Sequence, residues 1–219
     1  MRAELHTHTL LSDGELLPIE LARRALVKGT KTLAFTDHAS LSNMERIIQE
    51  ARRDAELAAD WGMKVLCGVE ITHVPARRID DVVLRARKLG AEIVVIHGET
   101  ISEPVERGTN LAAVKNPDVD ILAHPGFITL EEAQLARDNG VVLEITSRGS
   151  HCKTNGHVAR MAQQAGARMV VNTDAHAPGD LMDLATAMQI ALAAGLSQQE
   201  ADRALIETPQ EIVKRRGRA

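Results

Sequence analysis

EIVVIHG, residues 92–98, is a short β-branched run that ends on a histidine and a glycine. No polar residue interrupts it from Ile93 to Ile96, which predicts a strand buried on both faces. Runs of the same kind stand at RAELH (2–6), TLAFTD (32–37), VLCGVEI (65–71), VDILAHPG (119–126), VVLEITS (141–147) and RMVVNTDAH (168–176), seven strands in all. Longer stretches with helical spacing separate them. Pro18 at a first turn, the stripe Ile19, Ala22, Leu26 and Gly29 beyond it outline one helix. Met44 to Trp61 carries Ile47, Ile48, Ala51, Ala55, Leu57 and Ala58 on one predicted face. Asn139-Gly140 stands between a helix and a strand and reads as a helix C-cap rather than a hairpin turn. The last helices are expected at about 180–194 and 198–216, outside the sheet. This alternation implies an α/β fold with a parallel sheet, and near-continuous apolar strands favour a barrel over an open sheet. No linker or repeat divides the chain, so one domain over 1–219 is expected.

The bulk numbers exclude several classes. The chain has 44% hydrophobic and 26% charged residues and no run of about 18 apolar ones to span a bilayer. RAELH does not read as a leader, so a cytoplasmic location without a membrane partner is the expectation. Cys67 and Cys152 form no CxxC pair and signal neither a disulfide framework nor a structural zinc site. A net charge of −4, no Tyr, one Trp and two Phe argue against nucleic acid as a partner. The one basic cluster, KRRGR at 214–218, reads as a solvated helix end.

The chemistry lies where the strands end. His6 and His8 follow the first strand, Asp37-His38 the second, Glu70 the third, His97 the fourth, His124 the fifth, and Asp174 with His176 the seventh. In a parallel barrel all these ends share the face on which active sites are built. HTHTLLSDG, residues 6–14, adds Asp13. Three carboxylates crowded together repel one another unless a cation neutralises them, and imidazole with carboxylate is a donor mixture for zinc, iron or manganese. His73 reads as an outer residue, and His151 and His157 as loop residues, with His151 a candidate substrate contact.

HTH followed by SDG, then TDH, GVEI, HGE, AHPG and NTDAH resembles the motif set of the polymerase and histidinol phosphatase (PHP) family of metal-dependent phosphoesterases, over about residues 5–176. The resemblance implies a stand-alone domain with a distorted seven-stranded (β/α) TIM-like barrel and a trinuclear centre of two to three divalent ions, zinc, manganese or iron. It implies that His6, His8, Glu70 and Asp174 take one metal, and that Glu70 bridges to a second held by His97 and His124. Asp13, His38 and His176 would take the third, with Asp13 standing where some members have histidine. Glu70, Asp174, His176 and Asp37 are the expected catalytic residues, with Asp37 or Glu99 orienting a ligand or moving a proton. The implied reaction is attack of a metal-activated water on phosphorus, which leaves Cys152 without a required role. In TSRGSHCKTNG, residues 146–156, Arg148, Lys153 and His151 are expected to meet a small phosphorylated substrate, and Asn155 to start a helix that favours anions. Hydrolysis of small phosphomonoesters is the leading reading. A phosphodiesterase or exonuclease and a non-catalytic metal-binding assembly subunit are the alternatives.

Overall fold

The computed structural model describes residues 2–216. Its main sheet joins β1 (Arg2–Glu4), β2 (Thr30–Phe35), β4 (Lys64–Ile71), β5 (Ile93–His97), β6 (Ile121–Ala123), β7 (Val142–Thr146) and β8 (Met169–Asn172) in that order, every pairing parallel. A two-residue strand, β3 (His38–Ala39), pairs with β4 above the end of β2. The α/β barrel expected from the sequence is therefore present, and its distortion lies where it closes. β1 and β8 share no regular ladder. Leu5 N–H donates to the Asn172 side chain at 3.1 Å and Thr173 N–H to the Glu4 carboxylate at 3.1 Å. Higher up the backbones meet directly, His8 N–H on the Ala175 carbonyl at 2.8 Å and Asp174 N–H on the His6 carbonyl at 3.1 Å.

Inward-facing Leu5, Ala34, Leu66, Ile93, Val95, Ile121, Val142 and Val170 fill the barrel. The outward faces of the strands pack against α1 (Pro18–Val27), α2 (Met44–Ala59), α3 (Ile79–Lys88), α4 (Thr109–Lys115), α5 (Leu130–Asn139), α6 (Asn155–Ala165) and α7 (Leu184–Ala193). A Thr129–Glu132 capping box starts α5, and Gly140 ends it at φ 74°, the C-cap read from Asn139-Gly140. α1 buries Leu21, Ala22 and Ala25 rather than the whole predicted stripe, since Ile19 and Leu26 are only half-buried. On α2, Leu57 is 55% exposed, because one residue from buried Ala58 is a 100° rotation out of the core.

Two expectations near the C-terminus change. The stretch predicted as helix 180–194 begins as a loop, and α7 starts only at Leu184 behind an Asp183 cap. The predicted helix 198–216 is α8 (Gln198–Asp202), a π-helical turn (Arg203–Glu207) and α9 (Thr208–Arg216). Pro209 has no N–H for the carbonyl four residues back, which accounts for the altered pitch before it. Ile212 of α9 joins the barrel interior from the N-terminal end.

KRRGR is not simply a solvated end. Arg215 Nη2 and Arg216 Nε each donate to Asp120 Oδ1 at 2.7 Å, and Arg87 Nη2 donates to Asp120 Oδ2 at 2.5 Å. Asp120 is fully buried and also receives Val94 N–H at 2.9 Å, so it ties α9 beneath the barrel. Gly217 and Arg218 lie outside the described residues. Among those residues no helix is long and apolar enough to cross a membrane.

Candidate metal centre

Three strands stop earlier than the sequence suggests, and His6, His8, His124, Asp174 and His176 stand in irregular backbone beyond them, whereas Glu70 lies within β4, His97 ends β5 and His38 opens β3. RAELH, VDILAHPG and RMVVNTDAH yield strands ending at Glu4, Ala123 and Asn172. His124 and Asp174 adopt φ values of 29° and 53°, left-handed geometry that costs about 1–3 kcal/mol per residue and takes the chain off the sheet. Gly126 makes the turn after His124 possible: its φ is 61°, and a Cβ there would lie 1.9 Å from the Glu99 carbonyl oxygen.

The predicted donors converge. His6 and His8 lie on the same side of an extended segment, their Nε2 atoms 3.1 Å apart, while Thr7 between them donates its hydroxyl to the Ala34 carbonyl at 2.6 Å. Glu70 Oε1 lies 3.4 Å from Nε2 of both His6 and His124, and Oε2 lies 3.6 Å from His8 Nε2 and 2.7 Å from His38 Nδ1. Asp174 Oδ1 is 3.1 Å from His8 Nε2 and 3.5 Å from His176 Nδ1. Asp13, the most exposed donor, reaches His176 Nε2 at 3.3 Å and His38 Nε2 at 3.6 Å. Donor atoms fall within 4.8 Å of one another in several sets, among them His8, Asp13, His38, His176; His6, His8, Glu70; and His97, His124, His151.

Both Glu70 oxygens and Asp174 Oδ1 are buried and satisfied by no hydrogen bond. Leaving such atoms bare costs several kcal/mol, whereas a divalent cation among these imidazoles and carboxylates removes the cost, so the donors fit metal ions. In the protein alone, burial works against the charge of Glu70, but His6, His38 and His97 outweigh it and hold the carboxyl well below its ordinary value. Burial prevails at Asp174 and raises it.

Glu144, buried inside the barrel on β7, braces the candidate donors and is absent from the sequence reading. It accepts His6 Nδ1–H at 2.8 Å, His124 N–H at 3.2 Å and Asn172 Nδ2–H at 2.9 Å, which turns His6 Nε2 toward the other donors. A charged residue inside an apolar strand is the signal that would have found it. Glu144→Gln is expected to weaken metal binding about 10- to 100-fold, measured by competition with a chelator; unchanged affinity would remove this role.

Asp37 takes Thr9 N–H at 2.7 Å, the Thr9 hydroxyl at 2.8 Å and the Ser12 hydroxyl at 2.7 Å, so it fastens the loop carrying Asp13. Its oxygens are committed to that loop rather than aimed among the imidazoles. Glu99 likewise caps α4, accepting N–H from Gly108 at 2.9 Å and Asn110 at 3.0 Å.

Arg148 lines a cavity of about 600 Å³ together with Lys28, Ser147, Thr173 and Asp180. Asp180 holds Arg148 Nη1 at 3.3 Å and accepts His176 N–H at 2.9 Å, which places this cavity beside the centre. Lys153 is exposed, and Asn155 starts α6 while bonding the Thr146 backbone through both side-chain atoms, at 3.2 and 2.8 Å. His157 donates to the Ile128 carbonyl at 2.7 Å, away from the donors. His151 is buried, and its surroundings together with His124 push its imidazole down to about 3.

The PHP domain family model matches residues 4–164, which leaves β8 with Asp174 and His176 beyond the match. The uncharacterized protein MJ1295 of Methanocaldococcus jannaschii is 48% identical over 98% of this chain and 100% of its own length. The probable phosphatase TTE1963 of Caldanaerobacter subterraneus subsp. tengcongensis is 33% identical over 79% of this chain and 75% of its own. Among solved structures, a chain in an archaeal ribonuclease P with mature tRNA superposes with a TM-score of 0.73 at 20% identity, over 99% of this chain and 92% of that one, a likeness of fold.

Proposed function

Since this chain belongs to the PHP domain family, we propose that it is a metal-dependent phosphoesterase that hydrolyses small phosphomonoesters. Its similarity to a probable phosphatase supports the class of reaction. The observation that carries the reading is the set of buried, unpartnered oxygens on Glu70 and Asp174 among five imidazoles. Two to three divalent ions, zinc, manganese or iron, would be held by His6, His8, Asp13, His38, Glu70, His97, His124, Asp174 and His176. Bound there, they supply Lewis acidity and lower the pKa of water, so the chain needs no nucleophilic side chain.

The remaining residues bind and orient. Arg148 presents a planar donor fork to a phosphoryl group at the edge of the donor cluster, and Asp180 sets its direction. Lys153, exposed on the next turn, adds positive charge at the approach. Arg148→Ala is expected to lower kcat/KM by about 10- to 100-fold, the scale of a charged hydrogen bond, with metal content unchanged; an equal loss of bound metal would assign Arg148 to the centre instead.

The test is a panel of phosphomonoesters, phosphodiesters and phosphotyrosine peptides, offered to manganese-loaded and to chelated protein. Turnover of monoesters that chelation abolishes is expected. Turnover of diesters alone would replace this reading with an exonuclease-like one. Inactivity on every compound by protein shown to hold metal would favour a metal-binding assembly subunit, the reading to which the fold shared with the ribonuclease P chain lends support.

A further inference from the structure

We propose that His151 and Glu103 complete the donor set of the metal position built on His97 and His124, making it a site of three imidazoles closed by a carboxylate that can leave. The inference rests on the metal-centre reading above. His151 belongs to the loop after β7 and Glu103 to the loop after β5, and neither is needed by the mechanism.

His151 is only 4% exposed although it belongs to a loop. Its ring stacks on that of His124, centroids 4.2 Å apart and planes 20° apart, and it meets the His97 ring edge-on at 6.0 Å. One donor nitrogen from each of His97, His124 and His151 lies within 4.8 Å of the others. His151 Nδ1 is taken by the Thr100 hydroxyl at 2.7 Å, which turns Nε2 toward Glu103. This matches the arrangement of His6, whose Nδ1 is fixed by Glu144 while Nε2 faces the centre, and it is how a metal-binding imidazole is usually oriented.

Glu103 meets the same group from the opposite loop. Its Oε2 lies 3.1 Å from His97 Nε2 and 3.3 Å from His73 Nε2, and its Oε1 lies 3.5 Å from His151 Nε2. Ser102, beside it, donates its hydroxyl to the Ser150 carbonyl at 2.5 Å, clasping the two loops over His97 and His124. Three imidazoles and one carboxylate suit zinc, iron or manganese. Without Glu103, the carboxylates nearest the His124 Nε2 are Glu70 at 3.4 Å and Asp174 at 3.8 Å, and both also face His6 and His8. Glu103 is 39% exposed on its side chain, so unlike Glu70 it has room to withdraw, and a phosphate oxygen can take its place.

The test titrates metal-free protein with cobalt(II), following the visible absorption bands and the heat of binding, in wild type, Glu103→Gln, His151→Gln and His97→Gln. Both Glu103→Gln and His151→Gln are expected to weaken one cobalt by at least about tenfold and to alter its absorption, while the other ions bind as before. Wild-type affinity and spectrum in both, with His97→Gln impaired, would overturn this inference and leave the metal centre standing. No change in His97→Gln would remove the metal centre itself. Glu103 is exposed, so its variant decides the matter if the buried His151→Gln does not fold.

Discussion

Glu70→Gln is expected to lower phosphoester hydrolysis by about a thousandfold and to strip metal from the protein. The substitution keeps the shape of the side chain and replaces an anion with a neutral amide in a buried position that faces Nε2 of His6, His8 and His124 and Nδ1 of His38. The new N–H group would point at imidazole nitrogens where a cation is proposed, so charge and geometry fail together. The checks are kcat/KM at saturating manganese and elemental analysis after gel filtration. Full activity in this variant would end the proposed chemistry, whatever the substrate.

Asp120→Ala is expected to cost about 3–5 kcal/mol of stability, because it leaves Arg87 and two arginines of α9 facing a buried cavity without their partner. Burial alone would raise the Asp120 carboxyl; Arg87 and Arg216 outweigh it and hold the carboxyl below its ordinary value. The sign of the pH dependence follows. A folded-state value below the unfolded one makes the contribution complete above the unfolded value, about 4, and removes it as pH falls through the folded value. Urea unfolding of wild type and variant should differ most near neutrality and converge in acid. A loss below about 1 kcal/mol at neutral pH would mean that the cluster is worth no more than a surface pair.

The barrel and the donors were legible because both obey simple rules. Apolar runs such as EIVVIHG have no polar face and must be buried twice, and the histidines or glutamate at or just past the ends of six of the seven runs fall on the face where parallel strands end. What escaped depends on partners far away in sequence. Arg215 and Arg216 read as solvated because nothing local reveals Asp120, about a hundred positions earlier. Glu144 was absorbed into a strand pattern, although its charge among Leu143 and Ile145 was itself a clue. Asp37 and Glu99 sit one and two positions from histidines proposed as ligands, yet their oxygens turn to Thr9 and Ser12 and to α4. The left-handed backbone at His124 and Asp174 has no local cause, since only the surrounding fold can impose it.

The missing ladder between β1 and β8 gives the barrel a seam, a rolled sheet pinned at one rim. Backbone hydrogen bonds cross that seam from the amides of His8 and Asp174 and, beyond the strands, from Glu15 N–H to the His176 carbonyl at 2.7 Å, and His8, Asp174 and His176 are proposed metal donors. Ions there would act as rivets between segments about 170 positions apart, so transient unzipping should start at this seam when they are withdrawn. Amide hydrogen exchange at His8 and Asp174 is expected to quicken on chelation while the β4–β5 amides stay protected; equal exchange with and without metal would show that the seam holds by itself.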